Sequence, residues 1–232
     1  MHIIDASLVV DLLKLKLYNE YIYTNHIEEE GESEFQKKLT TQVVEGYIDP
    51  LNLPKDYKIL DLACGPGYFL DEMKARGYTD LTGVTLTEGD TKICNDKGHT
   101  VKKYDMSFLP QKDGYYDESV DFIFCRQALE HSPYPFFSLM EYNRVLKQNG
   151  KIYIEIPSPD CERPHENNLN HYSIMPFKML AALLYRTGFK IDLANNMEFD
   201  IGVKNGPDEE VKNMREKYTV VIATKNRPLD LK

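Results

Sequence analysis

Lys58-Ile-Leu-Asp-Leu-Ala-Cys-Gly-Pro-Gly-Tyr-Phe-Leu70 decides the fold. Residues 59–62 are a short apolar run and read as a buried strand, Gly65-Pro66-Gly67 reads as a tight turn, and a helix is expected from Tyr68. In that helix Leu70 and Met73 share a face, Asp71 and Glu72 lie near its positive end, and Lys74, Arg76 and Gly77 mark its stop. A strand, a glycine turn and a helix make a nucleotide-binding corner: small residues admit a ligand to the backbone, and the helix start offers free N–H groups. A dinucleotide site places a third glycine where this chain has Leu70, and Pro66 removes one N–H from the turn. The corner therefore suits a ligand that approaches the backbone closely without bringing a pyrophosphate.

Outward from this corner, strands and helices alternate. Upstream, Leu8, Leu12 and Leu15 define one face of an amphipathic helix, followed by Tyr18, Tyr21 and Tyr23 as anchoring aromatics. The acidic stretch 28–32 reads as a solvated loop, and a second helix is expected over 34–47, ended by Asp49-Pro50. Downstream, strands are expected over 81–86, 100–104, 120–125 and 151–156, with helices at 88–97, after Pro135 and after Pro176. Thr87 caps the first of these helices, and Ser173 is expected to lie near the cap of the last. Two short strands, 189–193 and 218–224, close the chain, joined by a polar segment. This order predicts an α/β fold, a doubly wound, mostly parallel seven-stranded sheet with an antiparallel last strand. Ligands of such sheets bind beyond the carboxyl ends of the strands.

Composition bounds the function. The 232 residues suit one domain, with 1–50 as an N-terminal helical lid and 51–232 as the core. A formal charge of −9 argues against nucleic acid held on a broad basic surface. Cys64, Cys94, Cys125 and Cys161 form no CxxC pair and read as reduced thiols, which with the lack of a basic leader predicts a cytoplasmic protein. No apolar run is long enough to span a membrane. The expected partner is a small molecule, and the expected state a monomer or homodimer.

Four ordered pieces carry a family resemblance: Leu60-Asp-Leu-Ala-Cys-Gly-Pro-Gly67, Gly83-Val-Thr-Leu86, Tyr104-Asp-Met106, and Ala128-Leu-Glu-His131 ahead of Arg144-Val-Leu-Lys147. From about residue 58 to 189 the chain resembles the class I S-adenosylmethionine-dependent methyltransferases; the competing reading is a generic nucleotide-binding α/β protein such as a dehydrogenase. The resemblance implies S-adenosylmethionine as cofactor, with Gly65 and Gly67 under its methionine part, Asp61 toward its ammonium, Asp105 and the Met106 N–H on the adenine, and main-chain atoms near Cys125 and Arg126 at the methionine end. The family usually ends its second strand with an acid on the ribose, where this chain has Thr85. Members similar to cyclopropane-fatty-acid synthases take the ribose five places on, which is Asp90; Glu88 competes for the role.

Methyl transfer needs position and, for a hydroxyl acceptor, a base. The histidines near the strand ends are His131, His165 and His171. His171 is ranked first as base, because its backbone is expected to be anchored by the following helix, and His131 second. No metal is expected; ligation by His165, Glu166 and His171 stands as the lesser alternative, since their i, i+6 histidine spacing is not the helical i, i+4 zinc pattern. The run 162–173, rich in Asn, His, Arg and Glu, is similar to that of methyltransferases of saccharide synthesis, and directional hydrogen bonds suit sugar hydroxyls. The expectation is methylation of a hydroxyl on a saccharide or other small molecule. The alternatives are N- or C-methylation of a small metabolite or lipid precursor, and a non-catalytic methyltransferase-like binding subunit.

Overall fold

In the computed structural model, strands β1 (Ile59–Leu62), β2 (Leu81–Thr85), β3 (Thr100–Lys103), β4 (Val120–Arg126), β5 (Leu146–Pro157), β6 (Phe189–Val203) and β7 (Lys212–Lys225) form one seven-stranded sheet in the order β3-β2-β1-β4-β5-β7-β6. The structure describes residues 13–14, 16–18, 30–203 and 212–229. β1 to β5 pair in parallel, and β7 enters antiparallel between β5 and β6. The α-helices are α1 (Glu34–Val43), α2 (Tyr68–Ala75), α3 (Glu88–Asp96), α4 (Pro135–Val145) and α5 (Phe177–Arg186).

Both faces of the central strands are buried, which explains their nearly unbroken apolar runs. Leu60, Leu62, Ile123, Cys125, Ile152 and Ile154 pack toward Leu139, Tyr142 and Leu184 of α4 and α5. Ile59, Phe122, Phe124 and Tyr153, of opposite parity, pack toward Val43, Val44 and Ile48 at the end of α1 and toward Phe69 and Met73 of α2. Phe69 stacks on Phe124 at 3.8 Å, and Phe124 on Tyr153 at 4.9 Å, so three rings tie α2, β4 and β5 together. Helix and strand also approach closely at Gly83, where a Cβ would lie 2.9 Å from Cys64 Sγ and 3.1 Å from Leu70 Cδ1. The close packing that a third glycine gives a dinucleotide corner is made here from the strand side, leaving Leu70 as a buried side chain.

Three expectations are revised. The helix expected over 34–47 ends at Val43 and continues as a π-helical turn, Val44–Ile48, and a short turn, Asp49–Leu51, because Gly46 and Pro50 weaken the regular ladder. The tail is a long hairpin, β6 against β7 from Phe189↔Lys225 to Val203↔Lys212, instead of two short strands. Beyond β5 the hairpin continues as an overhang, whose β7 residues Arg215, Glu216 and Lys217 bond the loop that follows β5. Third, Ser173 does not cap α5: Pro176 holds the N-cap place, and the Ser173 hydroxyl donates to the Ser132 carbonyl. At the N-terminus, residues 13–14 and 16–18 are helical with Leu13, Leu17 and Tyr18 exposed. Leu8, Leu12, Leu15, Tyr21 and Tyr23 lie outside the described residues. Among the described residues no helix is long and apolar enough to cross a membrane.

Candidate active site

The chain leaves β1 toward β2 and β3 and returns to β4 on the other side, so the sheet has its switch point between β1 and β4. A cavity of about 430 Å³ opens there. Asp61, Gly65, Thr85, Asp90, Met106 and Arg126 line one half, and His131, His165 and His171 the other. Gly67, Asp105 and Cys125 stand behind the wall. Gly67 begins α2 at φ +85° with Cys94 Sγ packed against it, Asp105 accepts the Ser107 N–H at 2.7 Å and presents Met106 instead, and the Cys125 side chain is in the core. Glu88 is off the cavity, exposed and 3.3 Å from Lys103.

The first half is acidic. Asp61 is 3 % exposed, and burial pushes its carboxyl well above the usual range, helped by Cys94 and Glu30. Asp90, also buried, accepts the Thr87 hydroxyl at 2.6 Å and the backbone N–H groups of Glu30 and Gly31, each at 3.2 Å. Glu30 was expected in a solvated loop. Its carboxyl lies against Gly65, where a Cβ would collide with it, and burial raises its pKa against the pull of Arg126. Arg126 holds the roof: it donates to buried Glu155 at 3.0 Å and reaches Thr40 and Gln36 of α1 at 3.3 and 3.1 Å. The start of α1 is fixed by the Ser33 N–H on the Tyr68 hydroxyl.

The second half is a ladder of rings. Phe35, Phe199, Tyr218, His165, His171 and His131 follow one another at centroid distances of 6.1, 5.7, 5.9, 5.5 and 4.8 Å. Two loops 40 residues apart are joined to make it. The Glu130 carbonyl accepts the N–H groups of Tyr172 and Ser173 at 2.8 and 3.0 Å, and His131 Nδ1 donates to the Asn170 carbonyl at 3.0 Å. Glu216 of β7 bonds His165 Nε2 at 2.7 Å and Arg163 at 2.9 Å. Burial opposes its ionisation, but those bonds hold the Glu216 carboxyl down at about 2, so His165 Nε2 is the donor and Nδ1 the nitrogen left to accept. Burial, then the neighbouring His131 and His165, push His171 down to about 4, and burial lowers His131 as well.

Sequence reasoning brought the three histidines together correctly in space. It missed Glu30, Gln36, Phe199, Glu216 and Tyr218, which reach the cavity from the N-terminal segment and the hairpin overhang. The alternation of Met197, Phe199, Ile201 and Val203 with polar residues and glycine signalled that this stretch is a strand with one face that covers something.

Residues 60–154 match the methyltransferase domain family. The chain is 23% identical over 200 residues to the 27-O-demethylrifamycin SV methyltransferase of Amycolatopsis mediterranei, covering 81% of this chain and 72% of that protein. It is 27% identical over 103 residues to the ubiquinone biosynthesis O-methyltransferase of Histophilus somni, covering 41% of this chain and 43% of that protein, less than half the relative's length. In fold it resembles a SAM-dependent methyltransferase from Archaeoglobus fulgidus, with a TM-score of 0.63 and 21% identity over 82% of this chain and 94% of that one. The domain match over residues 60–154, the methyltransferase relatives and the seven-stranded sheet with its antiparallel β7 together support a class I S-adenosylmethionine-dependent methyltransferase.

Proposed function

We propose that the enzyme methylates a hydroxyl carried on a ring of a small molecule, a saccharide or a phenolic compound. The observation that carries this is His165, held by the ionised Glu216 on the wall of the cavity that also contains Asp61 and Gly65. An amine acceptor that is already neutral needs no such base, whereas a hydroxyl loses its proton as it attacks. The two relatives named above act on oxygen by name, which supports the same reading. The ring ladder offers flat faces to a ring, and Asn168, Asn170 and Arg163 offer hydrogen bonds around it.

The cofactor fits the acidic half. Gly65 keeps a side chain out of the space over the turn, and Asp61 is a buried carboxyl whose ionisation calls for a cationic group such as an ammonium. In this reading Asp90 takes the ribose in place of an acid at Thr85, the Met106 N–H and Asp105 serve the adenine, and the main chain at Cys125 and Arg126 borders the methionine. Bound there, S-adenosylmethionine supplies an electrophilic methyl carbon. The protein's part is to position the acceptor, exclude water and take the hydroxyl proton on His165 Nδ1. His171, ranked first from the sequence, is a poor proton acceptor when held near 4. The lid role expected of residues 1–50 is proposed for 30–36, since Val43, Val44 and Ile48 belong to the core.

The test is mass spectrometry of a panel of sugars, phenols and amines after incubation with cofactor, looking for a one-methyl gain. His165→Ala should lower kcat at least about a hundredfold and Glu216→Gln at least about tenfold, with S-adenosylhomocysteine affinity unchanged. Methylation of amines alone, or full turnover in His165→Ala, would overturn the reading; no turnover on any acceptor would favour a binding subunit.

A further inference from the structure

We propose that Glu130, His131 and His171 form a binding site for a divalent transition-metal ion, of the zinc or cobalt kind, at the acceptor end of the cavity. Each offers one ligand atom, and the three atoms lie within 4.8 Å of one another. Ligands about 2.0–2.2 Å from a tetrahedral ion stand roughly 3.3–3.6 Å apart, so side-chain shifts of up to about an ångström close the cluster on one.

Unsatisfied atoms point the same way. Glu130 is 1 % exposed, yet its Oε2 has no hydrogen-bond partner, and neither has the buried Nδ1 of His171. Buried polar atoms are nearly always paired; burial pushes the Glu130 carboxyl up to about 8, and a cation beside its unpartnered oxygen would favour the ionised form. The cavity's arginines are committed elsewhere, Arg126 to Glu155 and Arg163 to Glu216.

The surrounding bonds prepare imidazoles for an ion. A carbonyl only accepts, so the Asn170 oxygen fixes the proton on His131 Nδ1 and leaves a lone pair on Nε2, the arrangement usual behind a metal-bound histidine. The Asn168 side-chain amide lies 3.2 Å from His171 Nε2; with its oxygen turned to the ring it takes that N–H and leaves Nδ1 to the ion. The two N–H groups on the Glu130 carbonyl lock the loops that carry the three ligands. A second cluster, Cys161, His165 and Glu216, is equally close, but both Glu216 oxygens are already bonded, to Arg163 and His165. Two imidazoles and one carboxylate suit zinc, cobalt or iron better than magnesium. What the ion would do rests on the hydroxyl reading: it would chelate an acceptor with two adjacent oxygens, a vicinal diol or a catechol, and acidify the one facing His165.

The experiment titrates Co²⁺ into the whole protein with S-adenosylhomocysteine bound and no acceptor present, reading visible absorption and calorimetry. One ion per chain is expected. Glu130→Gln and His171→Ala should each weaken it at least about tenfold while S-adenosylhomocysteine affinity, the measure of intact fold, holds. Cys161→Ser should leave Co²⁺ binding unchanged. Absence of saturable binding, unchanged binding in both ligand variants, or loss in Cys161→Ser would overturn the site. No methyl transfer is read, so a protein that binds Co²⁺ yet methylates only amines keeps the site and loses the hydroxyl reading.

Discussion

Asp61 sits near the end of β1, and burial holds its own carboxyl well above the usual range. A cationic group bound beside it favours the ionised form, so cofactor binding should expel a proton. The sign follows: affinity rises as pH climbs toward the raised pKa of Asp61 and levels off above it. Calorimetry in buffers of different ionisation enthalpy measures that proton, and in Asp61→Asn the pH dependence should vanish while affinity falls roughly ten- to a hundredfold. An unchanged affinity would move the ammonium contact elsewhere. At this scale the sequence was legible wherever a residue belongs to a local motif: Asp61, Gly65 and Met106 fall where the strand-turn-helix and strand-end patterns put them. Glu216 was not legible, because its partner His165 is 51 residues away in sequence and the pair forms only through strand pairing.

Strand direction explains why β7 serves the site at all. The parallel strands deliver their carboxyl ends to the cavity, and an antiparallel strand delivers its beginning there instead. β7 pairs with β5 only up to Pro157↔Tyr218, and the residues before Tyr218 continue past the sheet paired with β6 on one side and bonded to the loop 158–162 on the other. Glu216 and Tyr218 of β7 and Phe199 of β6 are thereby carried over the acceptor end. Phe199 touches both Phe35 and Tyr218 and anchors the outer part of the ring ladder. Phe199→Ala should therefore raise the acceptor's KM several-fold and leave kcat within about threefold, since it removes binding area and no proton acceptor. An equal fall in kcat would instead show that the overhang positions His165. The overhang escaped the sequence reading although Met197, Phe199, Ile201 and Val203 alternate with Glu198, Asp200 and Gly202, because the Asn-, Glu- and Gly-rich composition around them reads as a connecting segment. Strands β1 to β4 were read to within a residue or two, most plainly β1 and β4, where burial on both faces leaves a signal that needs no partner; β5, expected over 151–156, begins at Leu146, ahead of a register shift that the Asn149-Gly150 pair disguised as a turn.

The whole molecule joins a two-faced core to an acidic corner built for one class of ligand. Any ligand that binds only the folded state stabilises it, by about 2.7 kcal/mol at a hundredfold excess over Kd. For a chain of this length that is roughly 5–10 °C in Tm. S-adenosylmethionine and S-adenosylhomocysteine should produce this shift and NAD none, because Pro66 takes a backbone N–H out of the turn that would have to cradle a pyrophosphate. Thermal melts with each ligand decide it, and a shift with NAD alone would contradict the cofactor assignment. The fold class was legible from the alternation of strands and helices, and the cofactor class from four short motifs. The residues that build the acceptor end were legible only in part, since they come from segments whose composition is that of any polar loop.

The carboxyl of Glu30 over Gly65, latched by the Asp90 bonds to the backbone of residues 30 and 31, has a kinetic consequence. Cofactor reaches the turn only in the fraction of molecules whose latch is open, and the apparent Kd equals the intrinsic Kd divided by that fraction. Association should then saturate with cofactor concentration at the opening rate. In Glu30→Ala the ceiling should rise and the apparent Kd fall several-fold, as stopped-flow fluorescence with the cofactor would read. Weaker binding in Glu30→Ala would recast the residue as a direct partner of the cofactor's positive charge. A strictly linear rate would mean that residues 30 and 31 yield faster than the cofactor arrives, leaving diffusion to set the pace of loading.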